Sequence, residues 1–252
     1  MKRTIFGTLT AALLLVLSAG SIRADSITVD GSWSDWGINP SSGDWSASTG
    51  TRIFYENYTG TDGTAYLEPG WGGQFFDAEA IYATWSGNSL YFAIVTGFDP
   101  DGVKWGSTLY TPGDIFVNTG DGWKVGIDLQ TGNVYTNATH STPGFASSGP
   151  FTITGGTLVG STNLYVPFDG VITSYHSGDT TSKHYLFEGS LDLGLIGASN
   201  ADHAGIHWTM SCGNDVAEGS LPKPAVPEPA TLGLLGLGGL VAAVARKKSS
   251  KK

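Results

Sequence analysis

The chain holds a single cysteine, Cys212, among 252 residues. An intrachain disulfide is therefore impossible, and a disulfide-stapled secreted scaffold is excluded. A buried thiol is the expected state of Cys212. Charge is scarce as well, at 14% of the residues, while 12% are aromatic. That balance is the reverse of a disordered tail. It also lacks the Ala, Glu, Lys, Leu and Arg bias of a helical bundle or coiled coil. Basic side chains are rarer still between residues 25 and 229. Five Lys and Arg face 22 Asp and Glu there, for a net charge of −17. Such a body repels phosphate backbones, which argues against a nucleic-acid partner. No His-Glu-x-x-His, paired Cys or Gly-x-Ser-x-Gly occurs, so no familiar metalloprotease or serine-hydrolase motif is present.

What the chain has in quantity is glycine, 37 residues, with 8 Trp, 10 Tyr and 11 Phe. From 25 to about 221 no segment sustains a helical period. Short β-branched and aromatic runs recur instead, separated by Gly, Asp and Asn turns. Strands are expected at 27–29, 79–85, 89–96, 114–118, 123–129, 134–136, 151–154, 164–166, 185–193 and 205–211. Ser86-Gly87-Asn88 and Thr119-Gly120-Asp121-Gly122 read as hairpin connections. One helical turn is expected at 192–196. The fold class predicted is all-β, an antiparallel two-sheet sandwich of jelly-roll or immunoglobulin-like kind.

The two ends differ from the body. Lys2 and Arg3 precede an apolar stretch of 13 residues, 5–17, with small residues at Ser18, Ala19, Gly20 and Ala24. This is the layout of a secretory signal helix, expected to cover 1–24. At the other end Pro227-Glu228-Pro229 precedes 230–245, which is 16 residues without a charge, and then Arg246-Lys247-Lys248. As a helix that stretch spans about 24 Å, at the short limit for crossing a bilayer. The basic cluster would stay cytoplasmic and leave the body outside. Pro227 and Pro229 keep the approach to the membrane extended. The organisation expected is a signal peptide at 1–24, a sandwich at 25–218, a linker at 219–226 and a tail at 227–252.

This tail resembles the PEP-CTERM sorting signal of Gram-negative bacteria, with Pro227, Glu228 and Pro229 as its signature. The resemblance implies recognition by an exosortase-type membrane protease, transient inner-membrane anchoring, removal of the tail, and delivery to the cell surface or extracellular matrix. The body resembles carbohydrate-binding module family 9-like and DOMON-like sandwiches. The matching pieces are 29–36 with Asp30-Gly31 and Trp36, 76–85 with Asp77 and Glu79, 89–95, 113–117, 123–128 and 187–193 with Glu188. The region 39–73 does not align. The segment His207 to Asp215 resembles a group of PEP-CTERM surface proteins with this sandwich.

Indole faces stack on the C–H face of a pyranose. Trp85, Trp123 and Trp208 fall inside expected strands and are assigned to the core. Trp33, Trp36, Trp45, Trp71 and Trp105 fall in loops or near strand ends. Trp71, between Gly70 and Gly72, and Trp105, after Asp101-Gly102, are the candidates for an extracellular polysaccharide. Asp99 and Asp101, in Asp99-Pro100-Asp101-Gly102, are candidate ligands of a structural calcium ion, with Asp114 and Asp121 in nearby loops. The spacing fails the EF-hand pattern, and Asp-Gly is also an ordinary turn dipeptide. Three functions fit these features. One is a non-enzymatic surface or matrix protein that binds polysaccharide. The second is a purely structural surface protein. The third is a secreted glycoside-active hydrolase with its carboxylate pair set by the fold. No motif selects the hydrolase.

Overall fold

The computed structural model describes residues 27–40, 46–48, 50–55, 72–144, 148–167, 169–173 and 182–224. The signal segment 1–24, Trp45, Trp71 and the tail from 225 lie outside them. Among the described residues no helix is long and apolar enough to cross a membrane.

Among the described residues every strand pairing is antiparallel. One sheet contains β1 (Arg52–Tyr55), β2 (Ala78–Ser86), β3 (Ser89–Thr96), β12 (Ser182–Asp192) and β10 (Leu164–Tyr165) in that order, with β11 (Val171–Thr173) also on β12. The second runs β14 (Val216–Pro222), β13 (His203–Thr209), β6 (Ile115–Asn118), β7 (Val125–Ile127), β8 (Asn133–Ser141) and β9 (Thr152–Ser161). A separate two-stranded hairpin joins β4 (Val103–Trp105) to β5 (Thr108–Tyr110).

The sheets face each other. Phe92, Ile94 and Phe187 of the first pack with Ile115, Ile206 and Trp208 of the second in one buried cluster. The Trp208 ring stands edge-on to Phe98 and Phe187, at 6.4 and 5.6 Å between centroids. The first sheet is apolar on its outer side too. Tyr82, Ala93, Val95 and Leu186 there form a second cluster beneath Trp36 and Ile38. With both faces covered, β2 and β3 carry nearly continuous apolar runs instead of an alternating pattern. A turn of 3-10 helix at Trp33–Trp36 delivers Trp36 to that surface, and Gly37 closes it in the left-handed region at φ 79°. The side formed by β1 and β14 is also packed. A Cβ at Gly219 would lie 2.1 Å from Phe54 Cγ, so only glycine lets the two sheets meet there.

The β2–β3 hairpin turns on Gly87-Asn88 with Gly87 at φ 60°, as its sequence predicts. Other segments differ from expectation. Residues 27–29 form no strand; they run into the 3-10 turn that covers the first sheet. Residues 192–196 form hydrogen-bonded turns, with Leu195 N–H donating to the Asp192 carbonyl at 3.1 Å, and not a helix. Residues 219–222, which read as linker, are the second half of β14 and pair with β13. Trp123, assigned by pattern to a strand and to the core, precedes β7. It is half-buried on the outer side of the second sheet, 5.3 Å from the His207 ring. Trp36, a loop residue by pattern, is fully buried.

Candidate functional site

Trp105 is the described candidate that reaches solvent. It ends β4, opposite Thr108, and is 61% exposed. Its position is fixed from beneath. Phe76 meets the Trp105 ring edge-on at 6.1 Å and the Tyr110 ring at 5.3 Å. Phe76 is itself buried against Phe98. Val103 and Tyr110 anchor the hairpin base on the core. Phe75, beside Phe76, and Leu109, on β5, are exposed as well. The hairpin thus holds an indole in water on a buried aromatic support. A rigid, solvated indole can stack on a sugar ring.

Asp99 and Asp101 sit at the base of this hairpin and have different environments. Asp99 Oδ1 accepts the Asp101 N–H at 2.9 Å, its carbonyl accepts the Gly102 N–H at 2.8 Å, and its Oδ2 accepts the Tyr185 hydroxyl at 2.7 Å. Burial, and then the Asp99 carboxylate, push the Tyr185 phenol well above its ordinary range. Asp99 is thereby committed to the turn and to Tyr185. Asp101 is exposed, and its carboxylate accepts no hydrogen bond from the described residues. Asp114 does not join them. Its carboxylate accepts the Leu129 N–H, the Ile153 N–H and the Thr152 hydroxyl at 3.0, 2.8 and 2.8 Å. Burial raises its pKa against those hydrogen bonds. Among the described residues no group of three or more His, Cys, Asp or Glu is placed to hold a metal ion.

Asp101 instead borders a hollow of about 420 Å³ at the end of the sandwich. Its walls are Pro100-Asp101 and Pro112 at the hairpin base, the β7–β8 turn Gln130-Thr131-Gly132, and Thr162, Leu164 and Val166 around β10. A second hollow of about 520 Å³ adjoins it and shares Pro112, Leu129 and Gln130. Tyr135, Phe151 and Thr154 line that part. In the turn, Asp128 Oδ1 accepts the N–H groups of Gln130 and Thr131, both at 2.9 Å, which leaves the Gln130 side chain exposed. By sequence, Gln130-Thr131-Gly132 is a turn and nothing more. The groove is assembled from segments far apart in the chain, and no local signal marks it.

Other polar groups of the interior tie together distant parts of the chain. Glu188 Oε2 accepts the N–H groups of Asp30 and Gly31 at 2.9 and 2.7 Å, and Oε1 accepts the Trp36 indole N–H at 2.7 Å. Burial raises its pKa, and these hydrogen bonds oppose the rise. Glu79 and His184 form a fully buried pair at 2.5 Å. Burial raises the Glu79 pKa, against the opposing effect of His184. The Cys212 thiol is buried and shifted upward by desolvation. His207, on β13, has both ring nitrogens on oxygen acceptors: Nδ1 lies 2.8 Å from Glu218 Oε2 and Nε2 lies 3.0 Å from the Pro150 carbonyl.

Trp71 and the processing residues Pro227, Glu228 and Pro229 lie outside the described residues. A family model, the PEP-CTERM protein-sorting motif, matches residues 225–248. It covers the tail and carries no information about the sandwich. No curated protein and no solved structure matches the chain. The motif marks the chain for export, for transient membrane anchoring through its C-terminal signal, and for processing by an exosortase.

Proposed function

We propose that this exosortase-sorted chain is a non-catalytic surface or matrix protein of a Gram-negative bacterium whose sandwich binds extracellular polysaccharide. The observation that carries the reading is the Trp105 indole, 61% exposed yet held edge-on by the buried Phe76 ring. Leaving so large an apolar face in water forgoes burial worth roughly 2 kcal/mol. A stacking role accounts for that. The tail supplies the location, since a protein sorted past the membrane meets the polysaccharides outside it.

Trp105→Ala tests the reading. Retardation of the protein in native gels containing polysaccharide should weaken by about five- to thirtyfold, as expected for loss of a stacking contact of about 1–2 kcal/mol. The thermal midpoint should hold, because an exposed side chain contributes little to stability. A variant that loses stability and has no binding to lose would favour a purely structural protein. Trp71→Ala belongs in the same experiment as the other indole proposed for stacking.

A structural calcium ion near Asp99 and Asp101 would be a competing use of the Asp101 carboxylate, since Asp99 is already bonded to the turn and to Tyr185. EDTA would then lower the unfolding midpoint and added Ca²⁺ would restore it by mass action. An unchanged midpoint removes the ion.

A further inference from the structure

Charge is distributed in a way that the glycan reading does not require. From Leu129 to Phe168 the sequence has 40 residues without a single Asp, Glu, Lys or Arg. All 22 acidic residues of the chain lie elsewhere. This neutral stretch comprises the β7–β8 turn, β8, β9 and β10, together with their connections. Most of the lining of the two adjoining hollows comes from it, through Gln130, Thr131, Tyr135, Thr154, Thr162 and Leu164. Asp101, Asp114 and Asp128 are the charged groups on the walls. Asp114 is tied to three donors and Asp128 to two. Asp101 is the carboxylate left to meet a ligand.

Resting on the polysaccharide reading, we propose that this groove is the main glycan subsite and that its ligand is an uncharged, hydroxyl-rich chain. Three properties fit together. Each hollow, at about 420 and 520 Å³, falls within the size range of a small-molecule site, roughly 300–1,000 Å³. The groove's apolar lining residues, Pro112, Leu129, Leu164 and Val166, suit the C–H face of a sugar. Its rim carries Asp101, Gln130, Thr131 and Thr162, which together accept from and donate to hydroxyl groups. A carboxylate rim facing an acidic polysaccharide would set like charges against each other in a molecule already at −17 over residues 25–229. A neutral chain carries no such penalty. Trp105 is on the hairpin that rises from one wall of the groove, and it serves as a separate stacking contact.

Affinity electrophoresis of the full chain in detergent tests this. The gels contain a neutral β-glucan, a neutral galactomannan or polygalacturonate, each with EDTA and with added Ca²⁺. The expected result is retardation by at least one neutral polymer, little by polygalacturonate, and no effect of EDTA. Asp101→Ala should weaken retardation by about tenfold or more, as for loss of a hydrogen bond to a charged group, and Gln130→Ala by about fivefold, as for a neutral one. Both side chains are exposed, so thermal midpoints should be unchanged. Stronger retardation by polygalacturonate, with or without Ca²⁺, overturns the neutral-ligand inference. Loss of retardation in EDTA would assign Asp101 to calcium and overturn its direct place on the rim. Retardation insensitive to both groove variants but sensitive to Trp105→Ala overturns the groove and leaves the polysaccharide reading standing. Absence of retardation by every polymer overturns both.

Discussion

Glu188 shows how much one side chain can organise in this protein. It receives three donors from Asp30, Gly31 and Trp36, more than 150 residues earlier in the chain. Those contacts seat the N-terminal segment over the outer face of the first sheet, where Trp36 and Ile38 complete an apolar cluster. Glu188→Ala would strand a buried indole N–H and two backbone N–H groups. A loss of about 3 kcal/mol or more is expected in urea unfolding. Glu188→Gln keeps a carbonyl oxygen for Trp36 and should lose less. Trp36→Phe should fall between wild type and Glu188→Ala, because it removes one donor and leaves most of the packing. Both partners stand out in the sequence, in Asp30-Gly31 with Trp36 and in Phe187-Glu188, and the sandwich resemblance rests partly on them. Their mutual contact is not legible there, since nothing local links positions so far apart. The same is true of Asp99. It reads as a metal ligand because its neighbours are Pro100 and Asp101, whereas its partner, Tyr185, comes from β12.

Among the elements, those with strong local signals lie at nearly the bounds that the pattern predicts. β3 is identical to the expected 89–96, and β2 extends the expected 79–85 by one residue at each end. Apolar β-branched arms around Gly87-Asn88 leave little choice. The β4–β5 hairpin escapes pattern reading because its three-residue strands are mostly exposed and show no two-residue periodicity. β14 runs past the expected boundary at 218, where glycine and proline at 219 and 222 suggest a linker. Its burial depends on Phe54 lying over Gly219, which is a tertiary fact. Stability should divide in the same way. A two-stranded ribbon has few bonds to protect it. Amide protons of β4 and β5 are expected to exchange faster than those of β3 and β12 in native-state hydrogen exchange. Equal protection would mean that the Phe76 contact ties the hairpin to the global unfolding unit. Gly219→Val should destabilise the β1–β14 closure by several kcal/mol, since the added atoms meet Phe54 inside contact distance.

For the molecule as a whole, acid should stabilise before it denatures. Burial raises the pKa of Glu79, Asp114 and Glu188 above their ordinary values. A carboxylate with a raised folded-state pKa binds its proton more tightly in the native protein than in the unfolded chain. Its charged form therefore costs stability above the folded pKa. That cost is relieved as pH falls through the folded value towards the unfolded one, near 4. The −17 charge over residues 25–229 is also partly neutralised in that range, which lessens self-repulsion. The urea midpoint is expected to rise as pH is lowered from 7 towards about 5. A steady fall over that interval would show that these buried carboxylates do not govern the pH dependence; a carboxylate shifted downward, such as Asp202 beside His203, loses its contribution only below the ordinary carboxylate range. Charge distribution exposes the acidic imbalance, and the recurrence of short strands between turns exposes the all-β class. Neither reveals which acids are buried.

β14 ends close in sequence to the sorting motif. Pro222 is still paired with His203, and Lys223 is fastened by its backbone N–H to Asp202 and by its ammonium to Asn88 and Ser199. Four residues separate Lys223 from the Glu228 of the sorting motif, a fully extended length of only about 17 Å. If the exosortase acts at this motif, a folded sandwich on so short a leash would crowd it. The protease must either work in that narrow gap or act while the last strand is still undocked. Lengthening the leash with ten Gly-Ser residues after Pro224 separates the two. Faster conversion of precursor to mature protein in pulse-chase labelling would show that the folded body crowds the cut. An unchanged rate would show that the gap is already wide enough.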